Sequence, residues 1–318
     1  MVEPLFSQLD PAVDGPGQVP EPDPARAPDG FTARASAPFS RRALKQIGRN
    51  RMIVVAAGLF LLIVLFCFVG PLVYHTDQVH VNFNDVDMPP GTSGHPLGTD
   101  DSGYDVLGRL MAGGQTSLIV CVTAAFLAAG VGSAVGAFAG FVGGVLDPLL
   151  MRFTDAFIAI PQLFVVIVVA TMVTPSRSSL ILLIGGLSWF TTARLVRGEA
   201  LRIRKLEYVD AARVSGTRSW STILKHVLPN SVGVIVVSTT FQVADAILLL
   251  ASLDFLGLGI PPPAASWGGM LTSGLNYLAD GYWWLIVPVG AIIVLTVTSV
   301  NFMGDGLRDA LEVRLKEQ

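Results

Sequence analysis

Residues 207–230, EYVDAARVSGTRSWSTILKHVLPN, form the longest polar, basic stretch between two apolar runs that could each cross a bilayer. Good helix formers surround Asp210-Ala211-Ala212, and Gly216 can adopt the left-handed conformation that closes a helix. Beyond a turn, apolar residues at helical spacing predict one face of a second helix: Trp220, Ile223, Leu224, Val227 and Leu228. Pro229 is expected to end that helix. This stretch, called the knob below, therefore predicts two short helices bent at a glycine, suited to docking a soluble protein.

The composition around the knob is that of a membrane protein. Of 318 residues, 52% are hydrophobic and 14% charged, whereas ordinary soluble domains have about 25% charged residues. The net charge of −3 gives no indication of nucleic-acid binding. Cys67 and Cys121 each lie inside an apolar run, so we expect both to pack as small hydrophobic side chains without a disulfide or a metal.

Apolar runs and basic residues together predict a topology. Six runs lie near the ~20 residues that a spanning helix needs: 52–74, 116–142, 149–173, 179–197, 230–256 and 283–304. Lys and Arg cluster before the first run and between the fourth and fifth, whereas the segment between the first two is rich in Asp. By the positive-inside rule, both termini and the knob lie in the cytoplasm.

Composition shifts divide the chain into five parts. The first is rich in proline and acidic residues, which cannot bury enough apolar surface to order it. This part is not predicted to be a secretory signal either, because the first apolar run of the chain begins only near residue 52. The predicted parts are a disordered cytoplasmic N-terminus (1–40), a first transmembrane helix with its basic flank (41–74), an extracytoplasmic loop (75–115), a transmembrane core that includes the knob (116–305) and a cytoplasmic tail (306–318).

The second run carries small residues at every fourth position: Ala124, Ala128, Gly132, Gly136, Gly140 and Gly144. Successive members drift only about 40° around a helix, so they stay on one side and let another backbone approach closely. We expect close helix packing there. A passage lined by small residues is the alternative.

Two aspartates lie deep in apolar sequence and are candidates for function. Asp155 has Arg152 one turn away, so we expect the two to neutralise each other. Asp245 has no basic residue within a turn on its own helix, which leaves a partner helix, a water-filled cavity or a translocation path. A proton-coupled carrier would need more such groups and two related halves, and the sequence shows no internal repeat.

The outer segments and the absence of catalytic motifs give no indication of a metal site or of an enzyme activity in this sequence. His75, His80 and His95 lie near several aspartates, but their spacing matches neither a zinc nor an EF-hand pattern, so we expect a solvated loop. Residues 261–269, PPPAASWGG, predict a rigid outer loop with its tryptophan at the membrane interface, which contacts an external partner or caps the bundle. No phosphate loop and no hydrolase or protease motif occurs. Energy for any work must therefore come from another subunit.

The knob resembles the Glu-Ala-Ala loop in membrane subunits of binding-protein-dependent ABC importers. That pattern reads E-A-A, three residues, G, nine residues, I, any residue, L-P. Here it becomes Asp210-Ala211-Ala212, Gly216, His226 and Leu228-Pro229. Asp replaces Glu and His replaces Ile, and the spacing is intact.

A closer resemblance, from about residue 40 to the end, is to the C-type permeases of dipeptide and oligopeptide importers, a family that includes nickel importers. HPLGTDDSGYDVLGRL (95–110), ILLLASLDFLGLGIPPPAASWGGML (247–271) and GDGLRDAL (304–311) are similar to motifs of that family. Tyr104 stands where Arg is usual and Gly108 where Ser is usual. Leu250 replaces the usual Glu and Asp254 the usual Ser, which moves a charge by about one helical turn.

The resemblance implies an all-α integral membrane protein of the type I ABC importer fold, with six transmembrane helices and a coupling-helix loop. It implies a bacterial cell membrane and a complex with a homologous second permease, two ATPase subunits or domains and an extracytoplasmic solute-binding protein. The ATPases would bind ATP and Mg²⁺, and this chain would bind no cofactor. The implied function is to form half of the translocation path of a peptide importer. Alternatives are an importer of nickel or another small solute and an ion-coupled carrier; an ABC exporter or a membrane enzyme fits less well.

The same resemblance implies roles for single residues. Asp210 would cap or pair within the knob, Ala211 and Ala212 would form its close-packing face, and Gly216 would be its bend. Leu228-Pro229 would join it to the fifth spanning helix. Trp220, Ile223 and Leu224 would bury against the ATPase or the helix bundle, with Lys225 and His226 toward water. The candidates for the translocation path are Asp245 and Asp254, and Gly216→Asp is predicted to abolish uptake without preventing membrane insertion.

Overall fold

The computed structural model describes residues 51–92 and 94–316, with side chains except at Arg213 and residues 311–316. The predicted N-terminal segment 1–40 and most of the basic flank lie outside the described residues. The helices are α1 (Arg51–Val73), α2 (Val106–Val142), α3 (Leu146–Ile158), α4 (Gln162–Ala170), α5 (Arg177–Ile203), α6 (Glu207–Val214), α7 (Ser219–Thr222), a π-helical turn (Ile223–Val227), α8 (Leu228–Phe255), α9 (Trp267–Leu275), a 3₁₀ turn (Trp283–Leu285) and α10 (Val287–Lys316). The described residues form no β-strand beyond two isolated bridges.

Five helices in the described ranges are long and apolar enough to cross a membrane: α1, α2, α5, the combined α7–α8 segment and the segment that includes most of α10. The third apolar run, 149–173, differs from the single helix that its length predicts. It is broken into α3 and α4, bent by 83°, and the count reaches six only if this pair is one span. Pro161 lies at the break and cannot donate a helical hydrogen bond, and it disfavours helical geometry at Ile160.

Helix α2 begins at Val106, well before the apolar run that predicted it. Asp105 precedes it in extended conformation and accepts a 2.7 Å hydrogen bond from the backbone N–H of Gly108. This N-cap satisfies a donor that the first helical turn leaves free. The predicted loop 75–115 therefore ends near Asp105.

Helices α2 and α5 lie in close contact along the small residues of α2, as the four-residue spacing predicts, except that Gly144, the last of the series, lies beyond the end of α2 and would have nothing within 4 Å of a Cβ atom. A Cβ atom added to Gly132 would lie 2.6 Å from the carbonyl oxygen of Trp189, and one added to Gly140 would lie 2.7 Å from that of Arg197. At Gly136 it would overlap the carbonyl oxygen of Ala193. The absence of side chains lets the two backbones meet.

The remaining helices surround this pair. Helix α1 packs against α2 and α10, and α8 packs against α2, α5 and α10. Cys67 and Cys121 are free and buried in the main hydrophobic cluster, as predicted. A polar contact also joins α5 to α8: the Thr192 and Ser238 hydroxyls are 2.8 Å apart, and the Gln242 amide donates to Thr192.

Candidate functional site

The first helix of the knob, α6, ends at the predicted bend. Gly216 has φ +76°, in the left-handed region that favours glycine. The N–H of Thr217 donates to the carbonyl of Ala212 over 3.1 Å, which closes the end of the helix. The prediction of a glycine bend at Gly216 is confirmed.

An apolar cluster holds the knob against the bundle. Val209 of α6 and Ile223 and Val227 of the π-helical turn are each no more than 1% exposed. They pack with side chains from α2 and α5: Ala137, Phe141, Val196, Ala200 and Ile203. A shift of the knob therefore requires these helix ends to move with it, because close-packed side chains transmit displacement.

The second half of the knob continues directly into α8, so the prediction that Pro229 ends a helix is wrong. Residues Ser219–Phe255 form one helical span, and Pro229 lies in the first turn of α8. Proline is tolerated in a first turn because its missing N–H would have no partner there. The preceding π-helical turn closes with a bond from the N–H of Leu228 to the carbonyl of Ile223.

The apolar face predicted for this segment divides in two. Ile223 and Val227 face the bundle, whereas Trp220 is 58% exposed and Leu224 is 48% exposed. Trp220 and Leu224 are one turn apart and lie on the same side of the helix. The exposed indole and the exposed leucine together form an apolar patch on the surface of the knob.

The alanines of the knob do not pack against the bundle within the described residues, so their role as a close-packing face stays a prediction. Ala211 is exposed and Ala212 half-buried, and Val209 makes the contact with the bundle. The two halves of the knob meet through polar and aromatic contacts instead. The Asn230 amide donates to the Tyr208 hydroxyl over 3.3 Å, and the rings of Tyr208 and His226 are 5.7 Å apart. His226, predicted to point to water, is half-buried by this contact.

Asp254 was a candidate for the translocation path, but the structure places it in a buried structural contact. It is 6% exposed. Its carboxylate accepts a 2.8 Å hydrogen bond from the Ser266 hydroxyl and a 3.1 Å bond from the N–H of Ile260. Asp254 thus ties the proline-rich loop, residues 256–266, to the end of α8, and we correct its assignment accordingly.

Asp254→Ala is expected to lower the stability of the fold by about 1–3 kcal/mol, because it leaves the Ser266 hydroxyl and the Ile260 amide without their buried acceptor. Asp254→Asn keeps one carbonyl acceptor and should lose less. Thermal unfolding of the purified complex measures both, with Ser252→Ala on the same helix as control. An Asp254→Ala transition at the unsubstituted temperature would contradict this role.

Asp245 lies on the exposed side of α8, within the spanning segment. Among the described residues it forms no hydrogen bond or ion pair. An ionised side chain at that depth is costly in lipid, so it needs water or another chain beside it. A role in the translocation path stays a prediction.

Comparison with known proteins decides the family. Residues 132–317 match the model of the binding-protein-dependent transport system inner membrane component family. The chain belongs to this family. Residues 38–90 also match the N-terminal transmembrane domain of oligopeptide transport permease C.

Relatives match most of this inner membrane component. The dipeptide transport system permease protein DppC of Bacillus subtilis (strain 168) is 36% identical over 274 residues, 86% of this chain and 85% of the relative. The oligopeptide transport system permease protein OppC of Haemophilus influenzae is 37% identical over 265 residues, 83% and 85% of the two chains. A putative peptide transport system permease protein of Brucella abortus is 37% identical over 276 residues, 86% and 91% of the two chains. The chain is accordingly a transport subunit without its own ATPase site.

Sequence reasoning missed a strong ion pair in this transport subunit. Arg197 of α5 donates to both carboxylate oxygens of Asp147 on α3, over 2.5 and 2.8 Å. Bidentate geometry makes this one of the stronger types of charged contact. Asp155 likewise pairs with Arg194 at 3.7 Å, whereas Arg152 was expected. No local spacing could reveal either pair, because the partners lie about 40 to 50 residues apart in the chain.

The loop between α1 and α2 is organised by hydrogen bonds around Asp105. His95 Nδ1 lies 2.8 Å and Tyr74 Oη 2.9 Å from Asp105 Oδ2. Burial and this hydrogen bond to Asp105 raise the pKa of Tyr74 to about 12. Within residues 51–92 and 94–316 no group of three or more His, Cys, Asp or Glu side chains is placed to hold a metal ion.

Trp267 is packed inside the bundle, whereas the sequence predicted a tryptophan exposed at the membrane interface. It is 1% exposed, and its indole N–H donates to the carbonyl of Leu110 over 3.0 Å. Its backbone N–H donates to the Ser117 hydroxyl over 3.1 Å. The proline-rich loop therefore caps the bundle by fixing α9 to α2.

Proposed function

We propose that the chain is the permease subunit of an ATP-driven importer of di- and oligopeptides. The observation that carries this is the knob: it exposes Trp220 and Leu224 and is continuous with the spanning helix α8. The named relatives, dipeptide and oligopeptide permeases, support the peptide substrate. The complex contains a homologous second permease, two ATPase subunits that bind ATP and Mg²⁺, and an extracytoplasmic solute-binding protein. Both termini and the knob lie in the cytoplasm, and the bent pair α3–α4 completes six spans.

In this mechanism the knob transmits motion from the ATPases. ATP binding draws the ATPase pair together and moves the knob as a rigid body. The cluster of Val209, Ile223 and Val227 carries the movement to α2 and α5, and the continuous helix carries it along α8. The helices rock about a site between the two permeases, and hydrolysis restores the starting state.

The function is tested with the complete complex in liposomes. ATP-dependent uptake of a radiolabelled dipeptide is expected, and the lone chain should transport nothing. Transport by the lone chain along an ion gradient would instead identify a secondary carrier. Uptake of Ni²⁺ without uptake of dipeptide would identify the nickel alternative.

Trp220→Ala combined with Leu224→Ala is expected to lower uptake at least about tenfold, since exposed aromatic anchors dominate interface energies. Membrane insertion should be unchanged, because both side chains are exposed. Co-purification of the ATPase subunits and uptake are measured together. Lys225→Ala, exposed on another side of the same segment, is the matched control. Normal ATPase binding and uptake in the double variant would contradict the docking surface.

A further inference from the structure

An open cleft of about 170 Å³ lies where the broken pair α3–α4 meets α5. Its lining combines polar side chains with apolar ones, among them Phe157, Pro161, Val165 and Phe190. The rings of Phe157 and Phe190 stack at 4.7 Å between centroids, so they form one continuous aromatic wall between α3 and α5. The cleft lies at the 83° bend between α3 and α4 and includes the residues of the break, Ile160 and Pro161, in its lining.

Two polar side chains lie at the edge of the cleft. Gln162 donates from Nε2 to the Ser188 hydroxyl over 2.8 Å, and that hydroxyl donates to the carbonyl of Ile184 over 2.7 Å. Gln162 is exposed and forms no other side-chain hydrogen bond among the described residues. Its amide oxygen and second N–H therefore remain able to bind a ligand.

These groups lie near the middle of the apolar spanning segment α5 rather than at either of its ends. Ser188 lies about 16 Å from the start of α5 at Arg177 and about 22 Å from its end at Ile203, from a rise of about 1.5 Å per residue. Lipid offers an exposed amide no hydrogen bond at that depth.

The polar surface extends beyond Gln162. Thr191 is exposed in the lining of the cleft, and Arg194, one turn further along α5, forms a half-exposed ion pair with Asp155 of α3. A face with an amide, a hydroxyl and an ion pair borders water more favourably than hydrocarbon.

We propose that this cleft is a substrate contact on the wall of the translocation path, which holds an apolar side chain of the transported peptide. Gln162 forms hydrogen bonds with the backbone of the same peptide, since a peptide group offers the matching acceptor and donor. An apolar cavity of about 150 Å³ accommodates benzene, so the cleft is large enough for a phenyl side chain. The proposal rests on the proposed peptide import and adds which part of the peptide this subunit contacts.

Filling the cleft tests the proposal. Val165→Phe places a ring inside it, whereas Val168→Phe changes a 62% exposed residue of the same helix outside the lining. In the complete complex, Val165→Phe should lower uptake of Phe-Phe about tenfold or more, while Gly-Gly uptake stays within about twofold, a discrimination that one pocket contact supplies. Val168→Phe should change neither. ATPase co-purification shows that the variants assemble.

Equal loss of Phe-Phe and Gly-Gly uptake in Val165→Phe would overturn the proposal, because it would show that the cleft packs against another subunit or lipid. Unchanged uptake of both peptides would overturn it as well. If the unsubstituted complex imports neither peptide, the proposed function fails, and this proposal fails with it. That result needs no variant, so it is distinguished from a failure of the cleft proposal alone.

Accessibility gives an independent readout. Thr191→Cys should react with a membrane-impermeant thiosulfonate in the complete complex, and Phe-Phe with ATP and the binding protein should slow the reaction. Leu182→Cys is the control: Leu182 is 65% exposed but lies about 180° around α5 from Thr191. Both native cysteines are buried. Absence of reaction at Thr191→Cys, or a rate that peptide leaves unchanged, would overturn the assignment.

Discussion

Gly216→Val is expected to abolish peptide uptake and the ATP hydrolysis that the binding protein stimulates, while the chain still inserts into the membrane. Gly216 has φ +76°, and a Cβ atom there would meet nothing within 4 Å. The penalty is therefore conformational, about 1–2 kcal/mol for an ordinary L-residue and larger for a β-branched one. To relieve it, α6 must change direction relative to the segment that carries Trp220. Uptake and ATP turnover in liposomes measure the effect.

Gly216→Asn is the matched control, because asparagine adopts positive φ more readily than other side chains. It should retain most of the uptake. The same reasoning makes aspartate, the substitution suggested by the sequence, a milder test than valine, since the space around Gly216 is open. Wild-type uptake with Gly216→Val would show that the bend has no part in coupling.

Gly136→Ala is expected to destabilise the chain by about 1–3 kcal/mol or more, the usual range for overpacking. The added methyl would overlap the carbonyl oxygen of Ala193, which is backbone and cannot rotate away. Helices α2 and α5 must then separate, and the cluster that holds the knob rests on both of them. Thermal unfolding of the purified complex and its yield in membranes are the measurements.

Gly130→Ala provides the comparison on the same helix. A Cβ atom there meets nothing within 4 Å, so alanine should be neutral or stabilise by up to about 1 kcal/mol through its higher helix propensity. Equal stability of the Gly136→Ala and Gly130→Ala variants would contradict close packing as the role of the glycine series.

Local patterns predicted the parts of this protein that depend on neighbouring residues. Hydropathy located α1, α5 and α8 to within a few residues at most ends. The spacing of Gly132, Gly136 and Gly140 predicted close packing, and the structure shows α5 as the partner helix. Gly216 was recognised as the bend because helix closure depends on one residue and its immediate neighbours.

Two local features were interpreted wrongly although the sequence contained their signals. Pro161 breaks the third run and Pro229 begins a helix rather than ending one. The same residue type acts in opposite ways because its effect depends on whether its missing N–H was needed. Where an apolar sequence continues on both sides of a proline, the hydrogen bonds of the surrounding helix decide whether the missing N–H matters.

The sequence by itself determined a multi-helix membrane protein, its small-residue contact and its glycine-bent knob, because each follows from composition or from spacing within a few turns. Only the tertiary structure decided which charges pair, that Asp254 and Trp267 hold the proline-rich loop, and that Trp220 and Leu224 remain exposed. Those outcomes depend on contacts between residues up to 157 positions apart in the chain, as for the Trp267 side chain and the Leu110 carbonyl. Helical periodicity shows that a helix has an apolar face. It does not show which surface, in this chain or in a partner, covers that face.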